Sequence, residues 1–202
     1  MPSSTTQQPN PADRLLDAAS ALFDREGIRA VGIERLIADA GVARASLYQH
    51  FGSKDALVVG YLERADRQDR AGYALAVRGL ELDPVARIDA IFTLAQKSAR
   101  RRRYRGCLYV NALTEFPDRG HPVRQVVLAH REWLKTELTQ ALAQAGRPDP
   151  AALAGHIQLI YDGALVGSKA SQSTEPIEQA ARLVAGLVGS ASQCSGRPDH
   201  PA

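Results

Sequence analysis

Between Gly32 and Gly52 the chain carries two helical patterns of only about eight residues each, parted by Gly41-Val42. Ile33, Leu36, Ile37 and Ala40 fall on one side of the first pattern. The second runs from about Ala43 to Phe51 and is closed by Gly52-Ser53. Helices this short are marginal on their own in water, so each must be held by packing. Joined by a tight glycine turn, the two make poor members of a long bundle. They make a good helix-turn-helix that leans on a supporting helix.

The supporting helix precedes them. Asn10 is a favourable N-cap, Pro11 suits the first helical position, and Asp13 suits the positive end of the helix. Leu15, Leu16, Ala19, Leu22 and Phe23 follow at helical spacing, and Gly27 supplies the stop. Ser53 is placed to cap a long fourth helix, expected over 53–80. Beyond Asp83-Pro84 five more helices are expected, over 85–99, 107–115, 123–145, 151–172 and 176–192. No segment alternates as a strand does. The predicted fold is all-α: a three-helix helix-turn-helix domain over 10–60, then a second helical domain over 61–194. Polar tails at 1–9 and 195–202 are expected to be disordered.

The formal net charge of +3 permits nucleic-acid binding without requiring it. From residue 10 to residue 64 there are seven Lys and Arg against eight Asp and Glu, so any DNA-attracting field must come from where the charges sit. No run approaches the roughly 20 apolar residues of a membrane span. The polar start lacks a basic, then apolar, signal pattern, so a cytoplasmic location is expected. Cys107 and Cys194 have no CxxC spacing, and neither a disulfide framework nor a metal site nor a cofactor is expected.

The stretch from Ala30 to Leu57, AVGIERLIADAGVARASLYQHFGSKDAL, resembles the DNA-binding segment of TetR-family repressors. The elements that carry the resemblance are Gly41-Val42 at the turn, Leu47-Tyr48-Gln49-His50-Phe51 at the end of the recognition helix, and Ser53-Lys54 at the start of the next. Gly32 and Ala43 stand where capping Ser or Thr residues are usual, and Ile37 where Ala is frequent. The resemblance covers about 45 residues. Beyond it the chain matches the family in helix number and order, with a local likeness around Arg105-Gly106-Cys107-Leu108-Tyr109-Val110-Asn111 and Glu115-Phe116-Pro117. It implies a ligand-responsive regulator, a repressor by expectation, that binds a palindromic double-stranded operator as a homodimer and is no enzyme.

In a helix-turn-helix the second helix lies in the major groove with its N-terminal residues nearest the base edges. Arg44, Ala45, Ser46 and Gln49 are therefore the base-reading candidates; Arg44 suits guanine and Gln49 adenine. Tyr48, His50 and Lys54 are phosphate candidates by the resemblance. Lys54 has a further argument, because a cation in the first turn of a helix opposes the macrodipole unless an anion joins it. Leu47 and Phe51 are assigned to the core. The basic run Arg100-Arg101-Arg102-Arg103-Tyr104-Arg105 is a candidate for added nonspecific phosphate contact, although such runs are usually solvated faces.

The second half is helical, apolar and light in reactive groups. By the resemblance, Phe92, Tyr109, Asn111, Phe116, His130, Trp133 and Tyr161 are candidates to line a cavity for a small effector, and ordinary core packing is the competing assignment for each. Asn111 and Glu115 lie one turn apart, positioned either to anchor a ligand or to hydrogen-bond inside the protein. Leu159, Leu165, Ile177, Leu183, Val184 and Leu187 are the candidate dimer contacts, on two helices expected to pair with their twofold mates. Two other readings stand beside this one. One is a DNA-binding dimer with no effector. The other is a small helical enzyme built on His130 or His156 with Asp162, for which no phosphate loop, metal-ligand spacing or nucleophile motif is present.

Overall fold

The computed structural model describes residues 10–189; the expected tails at 1–9 and 195–202, and Cys194, lie outside the described residues. Among the described residues there are nine helices and no strand. They are α1 (Pro11–Glu26), α2 (Ile33–Ala40), α3 (Arg44–Phe51), α4 (Lys54–Ala76), α5 (Pro84–Arg101), α6 (Leu108–Glu115), α7 (Pro122–Gln144), α8 (Pro150–Ser171) and α9 (Glu175–Gly189).

The helix starts follow their caps. The Asn10 side chain accepts from Asp13 N at 2.9 Å, Asp83 from Ala86 N at 2.9 Å and Asp149 from Ala152 N at 3.0 Å, each just before a proline. Ser53 Oγ likewise accepts from Ala56 N at 3.0 Å. One boundary departs from expectation. The fourth helix stops at Ala76 and not near Leu80, because Gly79 sits at φ 77° and turns the chain, its N–H donating to Glu81. Val77 and Leu80 continue the apolar pattern, which is why periodicity alone overshoots.

By packing, the chain forms two units that interleave along the sequence. The first joins the described residues up to Arg67 with Leu108–Leu128; the second joins Gln68–Cys107 with the described residues from Ala129 on. In the first unit, Leu15, Ala19, Leu22 and Phe23 of α1 are buried, as are Leu36 of α2 and Leu47 of α3, and these three helices pack on one another. The start of α4 is fixed to α1 by Tyr61, whose hydroxyl donates to Asp24 at 2.8 Å while its ring meets Phe23 edge-on at 5.4 Å. Each of these leucines contributes roughly 1.5–3 kcal/mol by leaving water.

In the second unit, α5, α8 and α9 pack mutually. Phe92, Leu138, Leu142, Ile157 and Ile177 are its largest fully buried side chains. Gly167 lets α8 approach the start of α9 closely: a Cβ there would lie 3.0 Å from the Pro176 side chain. Arg131 of α7 clamps Asp162 of α8 with two hydrogen bonds of 3.0 and 2.6 Å. No helix among the described residues is long and apolar enough to cross a membrane.

Candidate nucleic-acid interface

The turn between α2 and α3 is built by Gly41, which closes α2 in the left-handed conformation at φ 59°. Its N–H donates to Ala38 O at 3.1 Å, and Val42 N donates to Ile37 O at 3.1 Å. This is the glycine-closed helix end in which the last carbonyls are satisfied by the residues beyond the helix. The Gly41 carbonyl in turn accepts from Arg14 Nη2 of α1 at 2.6 Å. The supporting helix thus grips the turn itself as well as the apolar faces on either side.

Turning about 100° per residue, α3 spreads Arg44, Ala45, Tyr48 and Gln49 over one broad arc and sets Leu47 and Phe51 together just beyond the Arg44 edge of it. The first four are exposed, Leu47 is fully buried, and Phe51 is half-buried with its ring edge against Gly60. His50 is exposed and Ser46 half-buried. Neither helix of the pair has a side-chain cap: Gly32 and Ala43 precede them without one. The first N–H groups of α3 are therefore left for other acceptors, apart from Ser46 N, which donates to Ala43 O at 2.9 Å.

Arg44 is paired with Glu34 of α2, and its guanidinium lies 5.9 Å from the centroid of the Tyr48 ring. Hydrogen bonding to Tyr48 and the charge of Glu34 raise its pKa. The pair is largely exposed, so it is a weak and exchangeable contact. Lys54 stands differently. It is half-buried, and Nζ donates to Ile28 O at 2.7 Å. Burial lowers its pKa; the carboxylates of Asp55 and Glu115 oppose that shift, and Arg29 adds to it. One of its three N–H groups is committed to the α1–α2 corner.

The effector candidates fall into both packing units. Phe92, His130, Trp133 and Tyr161 belong to the second. There Phe92 and Tyr161 meet edge-on at 5.8 Å, and Trp133 stands 5.5 Å from His130 and 5.8 Å from Tyr73. The Arg70 guanidinium lies 5.0 Å over the Trp133 ring. Tyr73, which the sequence reading missed, is buried with its hydroxyl unbonded within the chain. Tyr109, Asn111 and Phe116 belong to the first unit. Phe116 lies under the Arg29 guanidinium at 5.6 Å and against the His121 ring at 4.5 Å. Glu115 takes the second of its two expected roles: it hydrogen-bonds the backbone of Ile28 and Arg29.

The dimer candidates also divide. Leu165, Ile177 and Val184 are buried in the core of the second unit, which leaves them little or no surface for a second chain. Leu159, Leu183 and Leu187 remain exposed, and Val166 joins them, two turns beyond Leu159 on α8. In the basic run, Arg100 is bound to Thr174 and Glu178, Arg102 donates to Gly106 O, and Arg103 and Tyr104 both hold positive φ.

An exposed short helix, presented by a glycine turn and anchored through one leucine onto a supporting helix, defines a helix-turn-helix protein of the DNA-binding class. The model for bacterial regulatory proteins of the tetR family matches residues 15–60, and the tetracyclin repressor-like C-terminal domain matches residues 84–184. The chain belongs to the TetR family of bacterial transcriptional regulators. The solved structure of a TetR-family regulator from Streptomyces coelicolor is 38% identical, covers 92% of each chain and superposes with a TM-score of 0.83. A helix-turn-helix-type transcriptional regulator of Mycobacterium tuberculosis is 33% identical over 90 residues, 44% of each protein. The repressor KstR2 of Rhodococcus jostii is 33% identical over 84 residues, 42% of this chain and 41% of that protein. The match spans less than half the length of each of these two curated relatives.

Proposed function

We propose that the protein is a cytoplasmic repressor that binds a palindromic operator as a homodimer and is released by a small apolar effector. In this reading residues 10–60 bind DNA and residues 61–194 bind the effector and the second protomer. The observation that carries it is the composition of the exposed face of α3, where Arg44, Tyr48 and Gln49 are exposed while Leu47 is fully buried. Such a face combines a fork that pairs with guanine, an amide that pairs with adenine and a hydroxyl that reaches a phosphate. His50, Ser46 and Ala45 flank them, and Lys54 adds charge at the start of α4.

One α3 reads too little DNA alone, and twofold operators mirror twofold proteins. The exposed Leu159 (69%), Val166 (63%) and Leu183 (55%) support a second copy covering α8 and α9. The aromatic group around Phe92, Trp133 and Tyr161, with the unbonded Tyr73 hydroxyl, supports an apolar effector that carries a hydrogen-bonding group. An effector that prefers a dimer whose two α3 helices depart from the roughly 34–36 Å spacing of successive grooves lowers operator affinity by its differential binding. The name of one relative, a repressor, supports that sign of regulation. Against an enzyme stands the state of Asp162: the carboxylate a catalytic histidine would need is held by both arms of Arg131.

The test is selection of bound duplexes from a random pool by the purified protein. A recovered palindrome supports the reading, and recovery of unenriched sequence at moderate salt defeats it. A thermal-shift screen of apolar compounds then tests the effector, since a ligand preferring the folded state raises its melting temperature.

A further inference from the structure

Glu115, the last residue of α6, makes three hydrogen bonds to a loop more than eighty residues earlier in the chain. Its Oε1 accepts from Ile28 N at 3.0 Å and its Oε2 from Arg29 N at 2.6 Å. Its own carbonyl accepts from Arg29 Nε at 2.6 Å. The corner is shaped to receive it, because Gly27 ends α1 at φ 94° and turns both amides outward beside the carboxylate. The opposite side of the same corner is held by Lys54, which donates to Ile28 O at 2.7 Å.

The amide joining Ile28 to Arg29 is thus gripped at both ends, its carbonyl by an ammonium and its N–H by a carboxylate. Hydrogen bonds to charged groups are the stronger kind, and bonds in series polarise one another. The Lys54 ammonium is fixed in place by a peptide that Glu115 fixes in turn. That placement leaves donors of Lys54 for a further acceptor at the start of α4, three residues beyond the end of α3.

We infer that Glu115 is a positioning residue for DNA binding: through the Ile28–Arg29 peptide it sets the Lys54 ammonium for a phosphate beside the recognition helix. Movement of the last turn of α6 then changes operator affinity without touching α3. The inference rests on the reading of α2 and α3 as the DNA-binding pair.

The experiment is a double-mutant cycle on the full-length protein with its selected operator, using Glu115→Gln and Lys54→Met. Glu115→Gln keeps the shape but faces one backbone N–H with a donor. The expected result is a protein that still folds, with a modestly lower melting temperature, and operator affinity lowered about 5- to 10-fold under conditions where it is fully folded. The slope of log affinity against log salt falls by about one, as it does for Lys54→Met. The double variant binds no worse than Lys54→Met alone, because both remove one phosphate contact. A purely structural role predicts instead an unchanged salt slope and effects that multiply; that pattern overturns the inference, as does parent-like binding by Glu115→Gln. Should Glu115→Gln unfold, Arg29→Lys, which loses the Nε bond to the Glu115 carbonyl, gives the same slope test. A parent protein that prefers no duplex defeats the DNA-binding reading itself, a result distinct from all of these.

Discussion

Helices α3 and α8 both turn a row of side chains to solvent, and the two rows differ in kind. On α3 the exposed row is Arg44, Ala45, Tyr48 and Gln49, beside one buried leucine. On α8 it holds Leu159 and Val166 with the bare Gly163 between them, opposite the buried Ala154, Ile157, Ala164 and Leu165. A face that carries hydrogen-bonding groups on an eight-residue helix suits a polar, grooved partner. A face of exposed leucine and valine is costly to leave in water and suits another apolar face, of which a second copy is the simplest source. Exposure alone does not identify a site; the chemistry of what is exposed does.

Charging the apolar row is expected to have the largest effect. Leu159→Glu with Leu183→Glu is expected to give a monomer in sedimentation and to lower operator affinity about 100-fold or more, because one α3 remains per binding event. A dimer that survives both changes moves the interface elsewhere. Next in size is the anchor of the polar row. Leu47→Ala is expected to cost about 2–5 kcal/mol of stability by leaving a cavity, read as a lower denaturation midpoint. A smaller effect comes from the polar row itself. Arg44→Ala is expected to lose roughly 1–3 kcal/mol of operator binding and to relax sequence preference at one position of each half-site, with melting unchanged because the Glu34 pair is exposed. A uniform loss across all sequences would assign Arg44 to a phosphate.

The smallest effect concerns the apolar unit at high pH. Burial pushes the hydroxyls of Tyr73 and Tyr161 up from their usual value. The unfolded chain gives up those protons near pH 10 while the folded chain keeps them, so stability is intact below about pH 10 and falls as pH rises above it. Tyr161→Phe removes one of the two protons. Its melting temperature is expected to decline less steeply from about pH 9 to about pH 11 than the parent's.

How much of this was legible in the sequence differs by region for physical reasons. The starts of α1, α5 and α8 are written locally, in Asn10, Asp83 and Asp149 with the proline that follows each. The α2–α3 turn is written in Gly41, since a positive φ there excludes most residues. The exposed face of α3 follows from two core positions, Leu47 and Phe51, because eight residues leave few alternatives. On α8 and α9 apolar residues lie on more than one side of each helix. Periodicity therefore marks Leu165, Ile177 and Val184 as apolar without deciding that they face their own core while Leu159 and Leu183 do not. Glu115 was visible as a polar residue one turn from Asn111, but its partners Ile28 and Arg29 are backbone groups 87 and 86 residues away, which no local pattern encodes. The hydroxyl of Tyr73 gave no sign in the sequence of being left unbonded.

In the proposed regulator two copies of α3 act together on one duplex. The decisive measurement is titration of the protein against its selected palindrome and against the same duplex with one half-site scrambled. Two protomers per intact duplex are expected, with affinity at least about 100-fold weaker for the scrambled one; equal affinity for both duplexes, with one protomer on each, would rule out paired binding.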